Sequence, residues 1–119
     1  MPDGEPLSDE DAKLVVLARG ARARAGTPTG AALRDETGRT YSAADVRLAA
    51  LDLSALQLAV AQAVAAGSRG VEAAVVITDE PQQAVDTAAL AEFGGPDVPV
   101  HVCDGAGSPV RQVAAGPQR

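Results

Sequence analysis

The chain has 119 residues, of which 46% are hydrophobic but only 2% aromatic, and its 16 acidic and 10 basic residues give a formal net charge of −6. This length and apolar content predict one packed domain and exclude a largely disordered chain. The acidic balance argues against nucleic-acid binding, and the single cysteine excludes an intrachain disulfide framework. Because the sequence shows neither a signal core nor an apolar run of membrane-spanning length, we expect a cytoplasmic protein that contacts no membrane.

The chain opens with a predicted tail and a predicted helix. Residues 1–7 contain two prolines and a glycine and are assigned to a disordered tail. Ser8 is typical of a helix N-cap, and the three acidic residues after it favour the positive end of a helix dipole, so a helix is predicted over residues 8–25. We expect a solvated helix face, and not a nucleic-acid patch, at three nearby arginines: Arg19, Arg22 and Arg24.

Two short strands and a second helix are predicted next. Residues 30–34 and 39–44 are semi-apolar, and Gly38 between them can take the positive φ of a hairpin turn. Residues 51–67 predict one buried helix. Its helical spacing gives an apolar stripe of Leu53, Leu56, Val60 and Val64 beside a ridge of small residues, Ala55, Ala59 and Ala63. That ridge would suit close packing either within the chain or between subunits.

The second half of the chain predicts further strands separated by one helix. Residues 71–78 are rich in β-branched side chains and predict a central strand. Pro81 suits the first turn of a helix that would end near Gly94. Strands are expected over residues 98–103 and 108–113, before a tail over residues 115–119. The folded domain is therefore assigned to residues 8–114, as a mixed sheet with helices on its faces.

Several strings, in this order, resemble the cytidine deaminase family. Gly30-Ala31-Ala32-Leu33 is similar to that family's first strand, and Thr37-Gly38-Arg39 to the turn that follows. Leu90-Ala91-Glu92-Phe93 is similar to the family's last motif, and the likeness spans roughly residues 12–110 by inspection. The resemblance implies an α/β fold of three layers, α-β-α, with a mixed sheet of four to five strands. It also implies assembly as a homo-oligomer, either a dimer or a tetramer.

The family's catalytic motifs map onto residues with different chemistry. Ser54-Ala55-Leu56 lies where the family has Cys-Ala-Glu, and Gln83 and Asp86 lie where it has two cysteines. In the family, three such ligands hold a zinc ion whose water attacks the base, and the glutamate shuttles protons. Serine and glutamine are poor zinc ligands, and leucine transfers no proton. The resemblance therefore implies that catalytic residues, metal site and cofactor are all lost.

The residues that align with the family's substrate-binding motif also differ. The family's ribose-binding Asn-x-Glu is similar to Asp45-Val46-Arg47, in which a cation replaces the acceptor carboxylate. If a ligand still binds, the expected polar contacts are Asp45, Arg47, Gln57 and Asp86.

His101 and Cys103 form a further candidate pair for metal binding or nucleophilic chemistry. They lie two apart on a predicted strand and so share a face, but the chain has no further histidine or cysteine to complete a site. An ordinary strand surface is the favoured interpretation.

Three functional hypotheses follow. The first is a catalytically inactive structural, interaction or regulatory module, homo-oligomeric and with a possible unidentified protein partner. The second is a module that binds a nucleoside or another small metabolite in a remodelled cleft. The third, an active zinc-dependent deaminase, is disfavoured because the chain holds one cysteine and one histidine in total.

Overall fold

The computed structural model describes residues 7–117, which contain three helices and seven strands. The helices are α1 (Asp9–Ala25), α2 (Ala55–Ala65) and α3 (Ala88–Gly94). The strands are β1 (Thr29–Asp35), β2 (Thr40–Ala44), β3 (Val46–Arg47), β4 (Asp52–Leu53), β5 (Val71–Thr78), β6 (Pro99–Cys103) and β7 (Pro109–Ala114).

Five of the strands form one mixed sheet in the order β2-β1-β5-β6-β7. Only β5 and β6 pair in parallel, through the crossover that contains α3, and the other neighbours are antiparallel. Helix α1 covers one face of this sheet, and α2 and α3 cover the other. The predicted three-layer α-β-α fold with a mixed sheet is therefore confirmed.

Small aliphatic side chains fill both layers. Alternate residues of a strand point to opposite faces, so Val75, Ile77 and Cys103 pack beneath α1, whereas Val100 and Val102 pack beneath α2 and α3. The alanine ridge of α2 is fully buried on this second face: Ala55, Ala59 and Ala63. The chain itself thus covers the ridge, and any contact between subunits would use another surface.

Helix α2 begins later than residue 51, where the sequence predicted its start. Residues 46–53 instead form a small hairpin, β3 paired with β4, and Leu51 is exposed. Ser54 is the N-cap of the helix rather than an interior residue, because its side chain accepts from the Gln57 N–H. The predicted apolar stripe is correspondingly shorter, since Val64 lies on the outer face and is half exposed.

Helix α3 also begins later than predicted, at Ala88 rather than near Pro81. The carbonyl groups of Pro81 and Gln83 accept hydrogen bonds from the Arg111 guanidinium on β7, so they are engaged across the sheet edge instead of along a helix. Residues 81–87 therefore form an irregular loop. At the start of α3, Asp86 Oδ1 accepts from the Ala88 N–H.

Two contacts involve residues just outside the range 8–114 that was assigned from the sequence. Leu7 packs against the α1 layer, and the Ala115 N–H donates to the Val98 carbonyl. Residues 1–6 and 118–119 of the predicted tails lie outside the described residues. Arg22 is not merely a solvated side chain, because it bonds to the Pro28 carbonyl and pairs with Asp79 at 2.7 Å. Between residues 7 and 117, the structure contains no helix of membrane-spanning length and hydrophobicity.

Candidate functional site

A cavity of about 260 Å³ opens at the N-terminal end of α2. The start of β1, the end of β5 and the loop of residues 80–86 form its walls, with the segment after β2 at one side. A cleft of this size is slightly smaller than the usual range for small-molecule sites, about 300–1,000 Å³. It is therefore suited to a compact ligand.

Asp45 is the most buried charged residue of the cavity wall, with a side chain that is only 3% exposed. Its Oδ1 accepts from the Thr29 hydroxyl and from the Ala55 N–H, the latter at 3.0 Å. Ala55 is the first residue of α2, so the carboxylate lies at the positive end of the helix dipole. Within residues 7–117, no hydrogen bond reaches Asp45 Oδ2.

Arg47 lines the same cavity from the β3–β4 hairpin, but its guanidinium is already paired. Nη1 donates to Asp52 Oδ1 at 2.5 Å, and Nη2 lies 3.7 Å from Asp45 Oδ1. The hydrogen bond to Asp52 raises the pKa of Arg47 above its ordinary value, with a smaller contribution from the charge of Asp45. The cation is thus neutralised largely by a carboxylate at the rim.

Ser54 and Gln57 form a capping box at the start of α2. The Ser54 side chain accepts from the Gln57 N–H at 3.1 Å, and Gln57 Oε1 accepts from the Ser54 N–H at 2.9 Å. Both side chains therefore satisfy helix-end amides that would otherwise lack partners. Because of this role, Gln57 is directed to the cap and is not among the residues that line the cavity.

Six of the seven residues singled out from the sequence line the cavity: Asp45, Arg47, Ser54, Leu56, Gln83 and Asp86. The seventh, Gln57, lies at the adjacent cap. Thr29, Thr78 and Glu80 also line it and were not predicted as site residues. The chain order alone gives no signal that Thr29, far from Asp45 in sequence, donates to its carboxylate.

His101 and Cys103 lie on the opposite face of the sheet, beneath α1. His101 Nε2 is 2.9 Å from Asp11 Oδ2, and Cys103 is completely buried among aliphatic side chains. Burial is the main cause that raises the pKa of the Cys103 thiol to about 11, with Asp104 adding to it. Neither residue contributes to the cavity, and the interpretation of an ordinary structural strand agrees with this placement.

The donor set of the cavity does not fit a zinc ion. Structural and catalytic zinc sites use three or four ligands drawn from cysteine, histidine and carboxylates. At the positions that resemble the family's ligands, Ser54 Oγ caps α2, Gln83 offers an amide, and Asp86 offers one carboxylate. Across residues 7–117, no group of three or more histidine, cysteine, aspartate or glutamate side chains is placed to hold a metal.

Solved structures of similar fold are cytidine deaminases. One from Burkholderia pseudomallei has 24% sequence identity and a TM-score of 0.77, and the alignment covers 92% of this chain and 94% of that chain. One from Mycobacterium leprae has 22% identity and a TM-score of 0.66, covering 81% and 89%. One from Mycobacterium tuberculosis has 20% identity and a TM-score of 0.63, covering 88% and 91%. At these identities the likeness establishes the fold alone.

A search of curated protein sequences gives no significant match. The family model described as "Cytidine deaminase-like" matches residues 7–107, which is most of the chain. Its boundaries enclose every residue of the cavity wall, from Thr29 to Asp86. The chain therefore belongs to the cytidine deaminase-like family.

Proposed function

We propose that this chain is a catalytically inactive cytidine deaminase-like protein that acts in the cytoplasm as a structural, interaction or regulatory module. The observation that carries the proposal is that Ser54, Leu56, Gln83 and Asp86 line one cavity. These are the residues that the family resemblance aligns with three metal ligands and a proton shuttle. Because the four residues lie at one cavity, they support that alignment. They therefore also support the proposal that non-catalytic residues stand at the catalytic positions of the family.

The chemistry of these residues is the physical reason for proposing inactivity. Hydrolytic deamination needs an activated water and a group that moves protons to and from the base. Leu56 is 3% exposed and packs in the core, and its side chain carries no exchangeable proton. Ser54 Oγ is committed to the Gln57 N–H. The only carboxylate among the four, Asp86, accepts from the Ala88 N–H through Oδ1.

The test combines metal analysis with an activity assay on the whole protein. Protein purified without chelators is analysed for zinc, then incubated with cytidine with and without added zinc, and uridine is measured. We expect zinc well below one ion per chain and no uridine above a no-protein blank. Stoichiometric zinc, or turnover that depends on zinc, would overturn the proposal.

We further propose that the protein is a homo-oligomer, a dimer or a tetramer. The β3–β4 hairpin supports this, because it presents two exposed apolar side chains, Leu48 (64% exposed) and Leu51 (49% exposed). Exposed apolar side chains that lie close together favour a protein contact. Sedimentation of the wild type should give a mass above the monomer, and Leu48→Ser should lower it. A monomeric wild type would refute this part of the proposal.

The second candidate function is binding of a small metabolite in the cavity, without turnover. The observation that favours it is Asp45, whose carboxylate is buried in the wall with Oδ2 free of hydrogen bonds from residues 7–117. That oxygen can therefore accept from water or from a ligand that enters the cavity. Thermal unfolding in the presence of nucleosides and other metabolites tests this, since a ligand of the native state raises the midpoint.

A further inference from the structure

The cavity at α2 has a charge pattern that selects among ligand classes. Its wall contains three carboxylates, Asp45, Glu80 and Asp86, and one cation, Arg47. The Arg47 guanidinium is held by Asp52 at 2.5 Å, so it contributes little positive charge to the cavity. The electrostatic potential in the cavity is therefore expected to be negative, and fewer water molecules screen it there than at the open surface. Such a potential favours a ligand with a positive charge.

Asp45 fixes where that charge would bind. Its Oδ1 already accepts from the Thr29 hydroxyl and the Ala55 N–H, and Arg47 approaches the same oxygen at 3.7 Å. The other oxygen, Oδ2, accepts no hydrogen bond within residues 7–117, and the side chain as a whole is 3% exposed. One free carboxylate oxygen suits a single compact donor better than the two parallel donors of a guanidinium, which need both oxygens.

An anionic ligand at the same helix end is disfavoured for a related reason. A helix N-terminus ordinarily attracts anions through its free N–H groups. Here Asp45 accepts from the Ala55 N–H, and Ser54 accepts from the Gln57 N–H. These two N–H groups are therefore already used, and an anion in the cavity would be repelled by the nearby Asp45 carboxylate.

We propose that the cavity binds a small molecule that carries a primary ammonium group, and that Asp45 Oδ2 accepts the hydrogen bond from this group. The proposal rests on the second candidate function, non-catalytic ligand binding, and names its ligand class. Glu80 and Asp86 at the exposed rim add attraction for the cation at longer range. The family resemblance implies a nucleoside ligand, which is neutral, so the two ligand classes are experimentally distinct.

The experiment compares four probes of equal chain length that differ only at their ends. Butane-1,4-diamine and 4-aminobutan-1-ol carry ammonium groups, butane-1,4-diol is neutral, and 4-hydroxybutanoate is an anion. Each is titrated into isotopically labelled full-length protein at neutral pH and constant ionic strength, with amide shifts recorded. We expect saturable shifts at Thr29 and Ala55 with the two amines alone, and weaker binding as salt is raised. Equal binding of the diol, or no saturation by either amine, would overturn the proposal.

Two variants test the assigned atom. Asp45→Asn keeps an oxygen that can accept from Thr29 and Ala55 but replaces the free acceptor with an amide donor, so amine affinity should fall at least about tenfold. Asp97→Asn removes the same charge from an exposed loop residue and should leave affinity unchanged. Unchanged affinity in Asp45→Asn would refute the assignment. If that variant does not fold, Glu80→Gln at the exposed rim should still weaken amine binding, and an unaltered affinity there would count against the proposal.

The outcomes separate this proposal from the proposed function. Saturable binding of cytidine but not of the amines would refute the ammonium site while leaving a non-catalytic ligand module in place. Conversion of cytidine to uridine would refute the inactive assignment, whatever the amines do. Binding of the amines without turnover supports both.

Discussion

The Ser68 hydroxyl donates a hydrogen bond to Oδ2 of Asp35 over 2.5 Å, and it joins the segment after α2 to the turn between β1 and β2. Asp35 is completely buried, and its other oxygen accepts from the Thr37 N–H, the Thr37 hydroxyl and the Arg39 N–H. These donors, with Ser68 the largest contributor, hold the pKa of Asp35 well below its ordinary value despite the opposing effect of burial. A buried, saturated carboxylate thus anchors this corner of the fold.

Removal of the Ser68 hydroxyl should weaken that anchor. In Ser68→Ala, Asp35 Oδ2 loses its strongest donor, and hydrogen bonds to buried charged groups contribute about 1.5–3 kcal/mol. We expect the free energy of unfolding, measured with urea, to fall by about this amount. Ser108→Ala, at an exposed loop serine, is the matched control and should change stability by less than about 0.5 kcal/mol. Equal effects of the two changes would contradict the role assigned to Ser68.

The same carboxylate predicts how stability depends on pH. Because the pKa of Asp35 is lower in the folded protein than in the unfolded chain, the unfolded state binds the proton first as the pH falls. Its stabilising contribution is complete at neutral pH and is lost as the pH decreases below about 4, the ordinary value of an aspartate. Urea unfolding at several pH values should therefore show a steep acid loss of stability.

Asp35→Asn separates this contribution from those of the other carboxylates. The variant should be less stable at neutral pH, since the amide presents a donor to groups that are themselves donors, and its stability should decline less steeply in acid. Asp97→Asn should follow the wild-type curve. If the free energy of unfolding of Asp35→Asn falls with decreasing pH as steeply as that of the wild type, another group controls the acid transition.

The sheet was predictable from the sequence because local and tertiary preferences agree there. β5 has a continuous β-branched run and lies in the middle of the sheet, and the β1–β2 turn has Gly38 at a φ of 90°. The start of α2 was missed because the apolar residues before it continue the helical pattern. The sequence did hold a corrective signal, since Ser54 and Gln57 have the spacing of a capping box.

The site was predictable only in part, and the family resemblance supplied most of it. Asp45 and Asp86 are far apart in the chain, and only the tertiary fold brings them to one cavity. The pattern of residues 81–87 favoured a helix because Pro81 suits a first helical turn. The cross-sheet bonds from Arg111 to that segment depend on the pairing of β6 and β7, which no local rule provides.

Cys103 should be unreactive in the native protein. Its thiol is completely buried and its pKa is raised to about 11, so the reactive thiolate is scarce at neutral pH. Because the chain has one cysteine, modification by a chromogenic thiol reagent reports on this position alone. We expect a negligible native rate and one thiol per chain after denaturation. Rapid modification of native protein would show that the α1 layer opens readily.

Ser54 has a structural role as the N-cap of α2. In Ser54→Ala the Gln57 N–H loses its acceptor, which should lower the free energy of unfolding by about 0.5–2 kcal/mol. Ser54→Asp should retain most of the stability, because aspartate is also a good N-cap. Ser42→Ala, on β2 outside the cap, is the control for loss of a serine hydroxyl. Equal stability of Ser54→Ala and the wild type would contradict the capping role.

Restoring the family's ligand types should create a zinc site if residues 54, 83 and 86 converge as the cavity indicates. The variant Ser54→Cys/Gln83→Cys/Asp86→Cys places three thiolates around one space, leaving the fourth position of a tetrahedral zinc for water. We expect stoichiometric zinc by elemental analysis and a metal-dependent rise in the melting midpoint. The variant lacking Ser54→Cys has two introduced thiols and should bind zinc far more weakly. A folded triple variant that retains no more zinc than this control would show that the three positions do not converge. Turnover is not expected from the triple variant, because Leu56, which aligns with the family's glutamate, still cannot transfer protons.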